Sequence, residues 1–120
     1  MLFCHLVDDY YLQGILASLK QKKWWEQNAP QALYEHDWKI ALIEHAFSWT
    51  FVMMLPITIC ILADKLAISI AAYIIAFIAN LAWHAFIDNL KANSLKINLW
   101  QDQVAHFFQI VITWICLVII

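Results

Sequence analysis

His84 and Asp88 stand four residues apart in HAFID, and Asp102 and His106 stand four apart in DQVAH. Side chains at i and i+4 lie on one face of a helix a turn apart, so each pair would form a polar ledge. The pairs are mirror images, since 84 and 106 share the midpoint 95 with 88 and 102. An antiparallel hairpin turning at Leu95 would set His84 level with His106 and Asp88 level with Asp102. A third pair of the same form, His5 and Asp9, opens the sequence, and Glu44 and His45 adjoin in IEHAF. Imidazole and carboxylate together suit a divalent transition metal, zinc first and manganese or iron next, better than calcium. The expected ligands are His5, Asp9, His45, His84, Asp88, Asp102 and His106, enough for one or two ions. Two ions about 3.5–4 Å apart would activate water and clamp a phosphoryl or carbonyl oxygen. Glu44, or a carboxylate left free of metal such as Asp102, is the candidate general base. The competing reading is interhelical hydrogen bonding without metal, worth about 0.6–2 kcal/mol per pair.

The elements that must position these groups are greasy. Hydrophobic residues make up 64% of the 120, charged residues 13%, and there are one glycine and two prolines, which leaves too little polar surface to coat a soluble globule. Residues 38–63, 66–90 and 99–120 each exceed the ~20 apolar residues that cross ~30 Å of hydrocarbon. The first stretch, 2–19, is shorter and mixed, lacks the basic start and small-residue cleavage site of a signal peptide, and reads as a fourth helix, spanning or partly inserted, with Gly14 a possible kink. The expected fold is all-α: one integral membrane domain over 1–120, a compact bundle of about four helices. An ionised Asp in hydrocarbon costs about 2.5–3.5 kcal/mol unless paired, so this many buried polar groups call for collective compensation, most directly by a cation.

Residues 20–37 are too polar to cross and, with Trp24, Trp25 and Pro30, fit an interfacial loop or short surface helix. Lys20, Lys22, Lys23 and Lys39 flank this loop, Lys91 and Lys96 lie by the last one, and Lys65 alone marks the tight turn at 64–65, so the first and last loops should face the cytoplasm. A spanning first helix would strand His5 near the far surface. A tilted one that starts at mid-bilayer and emerges toward Lys20 would bring His5 to the other histidines. Asn98 and Gln101 form a capping pair, and Pro56 should free the carbonyl of Val52 and bend its helix. Asn80, Gln109, Thr113 and Gln13 extend the polar faces as interhelical hydrogen-bonding or lining groups. His36 reads as solvated, and Asp9 rather than Asp8 keeps the spacing to His5. Cys4, Cys60 and Cys116 lack C-x-x-C spacing and read as small buried hydrophobes. A net charge of −2 without a basic stripe argues against nucleic-acid binding.

Taken in order, HLVDDYYLQ from His5 to Gln13, His45, HAFID and DQVAH resemble a family of small, uncharacterised inner-membrane proteins of bacteria and their phages. Its hallmark is H-L-x-x-D-x-x-L-Q, a middle His, H-x-x-x-D and D-Q-x-x-H, and the likeness covers the whole chain. The pattern is more distantly similar to membrane-bound metal-dependent hydrolases, although the second His cluster and glycine-bearing segments of that group are missing here. The resemblance implies a multi-pass protein of the bacterial inner membrane and reinforces the residue set, without supplying a reaction.

The expectation is an intramembrane metal-binding protein that hydrolyses a phosphoester or ester, on a lipid head group or another membrane-bound molecule. The alternative is a non-enzymatic interaction or effector protein, a phage or defence accessory, that oligomerises or binds a membrane partner through Trp24, Trp25, Trp38 and Trp100. A channel or carrier would need an oligomer to enclose a lumen.

Overall fold

The computed structural model describes residues 1–119, and among them there is helix and turn but no strand. Three long helices form the body: α4 (Asp37–Leu62), α5 (Ile70–Ala92) and α6 (Leu99–Trp114, continued by a π-helical turn Ile115–Ile119). Each is long and apolar enough to cross a membrane. Before them come α1 (Leu2–Val7), a π-helical turn over Asp8–Leu12, and two short helices, α2 (Leu16–Leu19) and α3 (Lys22–Asn28).

The molecule is inside out relative to a soluble domain. Phe51, Ile59, Ile75, Ile78, Phe86 and Phe108 point outward, whereas four of the five histidines and four aspartates are buried. A water-soluble chain of this size keeps ionisable groups outside and apolar ones in. The apolar core proper is small: Trp49, Met53, Met54 and Ile110, with Tyr73 and Phe77 packed against it. Cys4 and Cys60 are only partly buried and Cys116 is exposed, so the cysteines do not fill the interior.

Two turns define the hairpins. At 64–65, Asp64 takes a left-handed φ of 54° while the Lys65 amide returns to the Cys60 carbonyl, closing the C-terminus of α4 as glycine-free Schellman caps do. At the other end Leu95 carries the left-handed φ of 52°, and Asn98 opens α6 with a reciprocal capping box to Gln101. α4 runs unbroken through Pro56.

The first segment holds no helix long enough to cross a membrane. From Leu2 to Leu12 it rises only about 16 Å at 1.5 Å per residue. Met1 lies against the Trp49 core, and from there the chain climbs along α4 to Lys20, beside the C-terminal end of α5. Gly14 takes a left-handed φ of 49° between the π turn and α2. His5 lies beside Trp49 and His106, at the depth of the other buried histidines.

Asn98→Ala removes the side-chain half of the capping box, the oxygen that accepts from the Gln101 amide, and should cost about 1 kcal/mol. Unfolding in mixed micelles by SDS titration reads this directly, and an unchanged midpoint would show that the turn at 93–98 is held by other contacts.

Candidate metal centre

The site forms where the N-terminal end of α4, the C-terminal end of α5 and the N-terminal end of α6 meet the α1 segment. His45, His84 and His106 are each completely buried, roughly 10–12 Å below those helix ends at 1.5 Å per residue. Asp88 is the hub. Its Oδ2 lies 3.1 Å from His45 Nε2 and 3.8 Å from His84 Nε2, and its Oδ1 lies 3.3 Å from His106 Nε2. His45 Nε2 is also 3.1 Å from His84 Nε2 and 3.5 Å from Asp9 Oδ1. On the far side, His106 Nε2 is 3.4 Å from Asp102 Oδ1. His84 is stacked between Trp49 and His106, with ring centroids 4.2 and 4.3 Å away.

These separations fit a small cation. Zn–N distances of ~2.0–2.1 Å at tetrahedral angles put neighbouring donors ~3.3 Å apart. Asp9, His45 and His84 bring one donor each within 4.8 Å of one another, and so do His84, Asp88 and His106. Among the described residues, Asp9 Oδ1 and Asp102 Oδ1 are buried without a hydrogen bond, and so are His45 Nδ1 and His84 Nδ1. A buried oxygen with no donor is costly and marks a place where a positive partner belongs.

Two histidines have their tautomers fixed by their neighbours. Gln109 Nε2 donates to the Asn80 carbonyl and side-chain oxygen at 2.8 and 2.9 Å, which leaves its Oε1 to accept from His106 Nδ1 at 3.4 Å. His106 then turns Nε2 toward Asp88 Oδ1 and Asp102 Oδ1, a lone pair facing two carboxylates. Only a proton or a metal ion on Nε2 satisfies that arrangement. His5 is the opposite case. Trp49 Nε1, which can only donate, bonds to His5 Nδ1 at 2.7 Å, so His5 Nε2–H donates to Gln103 Oε1 at 3.2 Å. Gln103 passes the polarity on by donating to Asp102 Oδ2 at 3.1 Å. Burial pushes the His5 imidazole down, consistent with this neutral form. Both nitrogens of His5 are therefore committed, and it orients its neighbours instead of offering a lone pair.

The structure thus brings six of the seven expected ligands into one contiguous network around Asp88, with His5 as the clamp beside it. Glu44 stands apart, exposed on the outer side of α4 one residue before His45, about 100° around the helix. His36 is exposed, and Asn80, Gln109 and Thr113 form a hydrogen-bonded cluster beneath His106. Asp8 is buried as well as Asp9. The π turn carries both inward, and Ser48 Oγ donates to Asp8 Oδ1 at 2.8 Å while burial pushes that carboxyl up.

Two lysines complete the charge pattern. Lys20 Nζ donates to Asp88 Oδ2, and Lys91 Nζ to Asp102 Oδ2 at 2.7 Å. Lys20 is held there by Asn93, which donates to the Lys20 carbonyl at 3.1 Å and accepts from the Lys22 amide at 2.7 Å. Their sequence signal was visible only as loop charge, and a contact across 68 positions leaves no periodic trace. Lys91, one turn after Asp88 on α5, carried a usable hint in its spacing.

Comparison with known proteins returns no matching family model, no matching curated protein and no matching solved structure.

His5→Phe should keep the metal stoichiometry while weakening affinity about 10–100-fold, the usual effect of removing a group that orients a ligand. Elemental analysis with competitive chelation distinguishes this from ligand loss. Complete loss of metal in His5→Phe, with the fold intact, would make His5 a ligand.

Proposed function

We propose that this chain is an intramembrane metal-binding protein that uses its ion to hydrolyse a phosphoester or ester presented at the cytoplasmic face of a bacterial inner membrane. The observation that carries this reading is the approach of Asp9, His84 and Asp88, from two further elements, to within 3.1–3.5 Å of His45 Nε2, with Asp9 Oδ1 left without a hydrogen bond. Those four are assigned as ligands of a divalent transition metal, zinc first by donor type. When bound, the ion supplies Lewis-acid polarisation and an acidified water.

The remaining groups handle the proton. His106, tied at Nδ1 to Gln109, holds a proton at Nε2 between Asp88 Oδ1 and Asp102 Oδ1, where it would be available to a departing oxygen. Asp102, considered from sequence as a base, here steadies His106 and anchors Lys91. Cavities of about 340 and 220 Å³ open beside Asp88, Lys20, Lys91 and Gln13, and Asp9 lines the smaller one, which gives a substrate access to the ligand side of the cluster.

A second reading rests on Lys20 and Lys91. Because each already donates to a cluster carboxylate, the polar groups can hold the helices together without metal, and the protein would act by membrane interaction instead of catalysis. The two readings separate on purified protein. The hydrolase reading expects stoichiometric metal in wild type, no metal and no hydrolysis in His84→Ala, and metal retained with turnover of a chromogenic phosphoester down at least ~100-fold in His106→Ala. A metal-free wild type, or full turnover in His84→Ala, would overturn it.

Metal affinity should also fall as pH drops, because protons compete for the His45 and His84 nitrogens. Binding titrations between pH 8 and pH 5 test this, and a flat profile would exclude imidazole ligation.

A further inference from the structure

The two lysines are more than counter-ions. Lys20 and Lys91 both line both cavities beside the cluster, with Asp88 between them. Lys20 is nearly buried, at 13% side-chain exposure, and Lys91 is at 37%. Neither needs to enter the bundle to be satisfied, since a flexible ammonium reaches water from this end of the helices at little cost. Both instead point inward over the carboxylates, with Asn93 holding the Lys20 carbonyl and the Lys22 amide.

Asp9, His45, His84 and Asp88 would hold a divalent ion, and its charge would compete with Lys20 for Asp88 Oδ2, the atom that Lys20 contacts. Lys20 would then be freed toward the cavity that it lines together with Lys91. The loaded cavity would carry a net positive lining. A phosphate monoester terminus matches this arrangement with its two negative charges and three acceptor oxygens. A diester carries one charge and a carboxylic ester none, so both match it less well. Without metal the same cavity presents Asp9 and Asp88 to an anion, and those carboxylates cancel the lysines.

We propose that the cavity between Lys20 and Lys91 is a phosphate monoester site that forms only when the His/Asp cluster is loaded with metal, with Lys20 transferred from Asp88 to the bound phosphate. The proposal rests on the metal-centre reading above. The phosphate can belong to a lipid head group or to a free molecule, because the cavity lies at the same end of the bundle as the interfacial pair Trp24 and Trp25.

The test is calorimetric titration of inorganic phosphate, and separately of phosphatidic acid in mixed micelles with phosphatidylcholine as control, into the detergent-purified protein with and without bound Mn²⁺. Phosphate binding to the Mn²⁺-loaded form alone is expected. Lys20→Met/Lys91→Met should keep its Mn²⁺ and weaken phosphate at least about tenfold, the loss of charge-assisted hydrogen bonds, and Lys20→Arg/Lys91→Arg should restore most of it. Tighter binding of phosphatidic acid than of inorganic phosphate to the Mn²⁺-loaded form would assign the site to lipid, and equal binding of the two would assign it to soluble monoesters, both supporting the proposal. Equal phosphate binding with and without Mn²⁺, or unchanged binding in the metal-loaded Met variant, would overturn it while leaving the metal centre standing. Failure of the wild type to take up Mn²⁺ or Zn²⁺ would remove the centre itself, and the proposal with it.

Discussion

The organisation of this protein depends on one buried carboxylate. Asp88 is 3% exposed on a helix of high apolar content, and an uncompensated charge there would cost several kcal/mol in hydrocarbon. Compensation arrives from every direction: His45 on α4, His84 one turn back on α5, His106 on α6 and Lys20 from the N-terminal segment. Each partner comes from a different part of the chain, so satisfying Asp88 amounts to assembling the bundle. Apolar packing between helices supplies little specificity when the surroundings are as apolar as the side chains. Polar geometry then selects the register.

That division of labour explains what could be read from sequence. The three long helices and the turns between them follow from apolar length, and the capping box at Asn98 follows from residue type. The mirrored spacing of His84, Asp88, Asp102 and His106 also suffices to predict facing ledges, because a helical hairpin of fixed rise leaves few other registers. The N-terminal segment was harder. Its length allows either a span or a tilted insertion, and the fold shows short helices that pack Met1 on the Trp49 core and bring Lys20 to Asp88.

Other parts of the site left no periodic signal. Asp8 and Asp9 are neighbours, which on an α-helix would point about 100° apart, so choosing one of them was reasonable. The π turn over Asp8–Leu12 widens the helix locally and carries both inward. Glu44 illustrates the reverse error. Adjacency to His45 in sequence says nothing of proximity in a helix, and it places Glu44 on the outer surface. Trp49 carries no spacing that marks it in the sequence, and only the fold brings its single N–H donor within reach of His5.

Trp49 also shows how core and site are coupled. One face of its ring stacks on His84, its N–H fixes the tautomer of His5, and the rest of the side chain lies in the Met53, Met54 and Ile110 core. A shift in apolar packing would therefore be felt at two histidines at once. The donor-only chemistry of the indole propagates through His5 and Gln103 to Asp102, and Gln109 imposes a second direction on His106 from below. Between these two fixed chains lie groups whose protons no such chain fixes: His45, His84 and Asp9 Oδ1. The rigid surroundings thus leave freedom of protonation at the centre, which is where the proposed cation would have to displace protons.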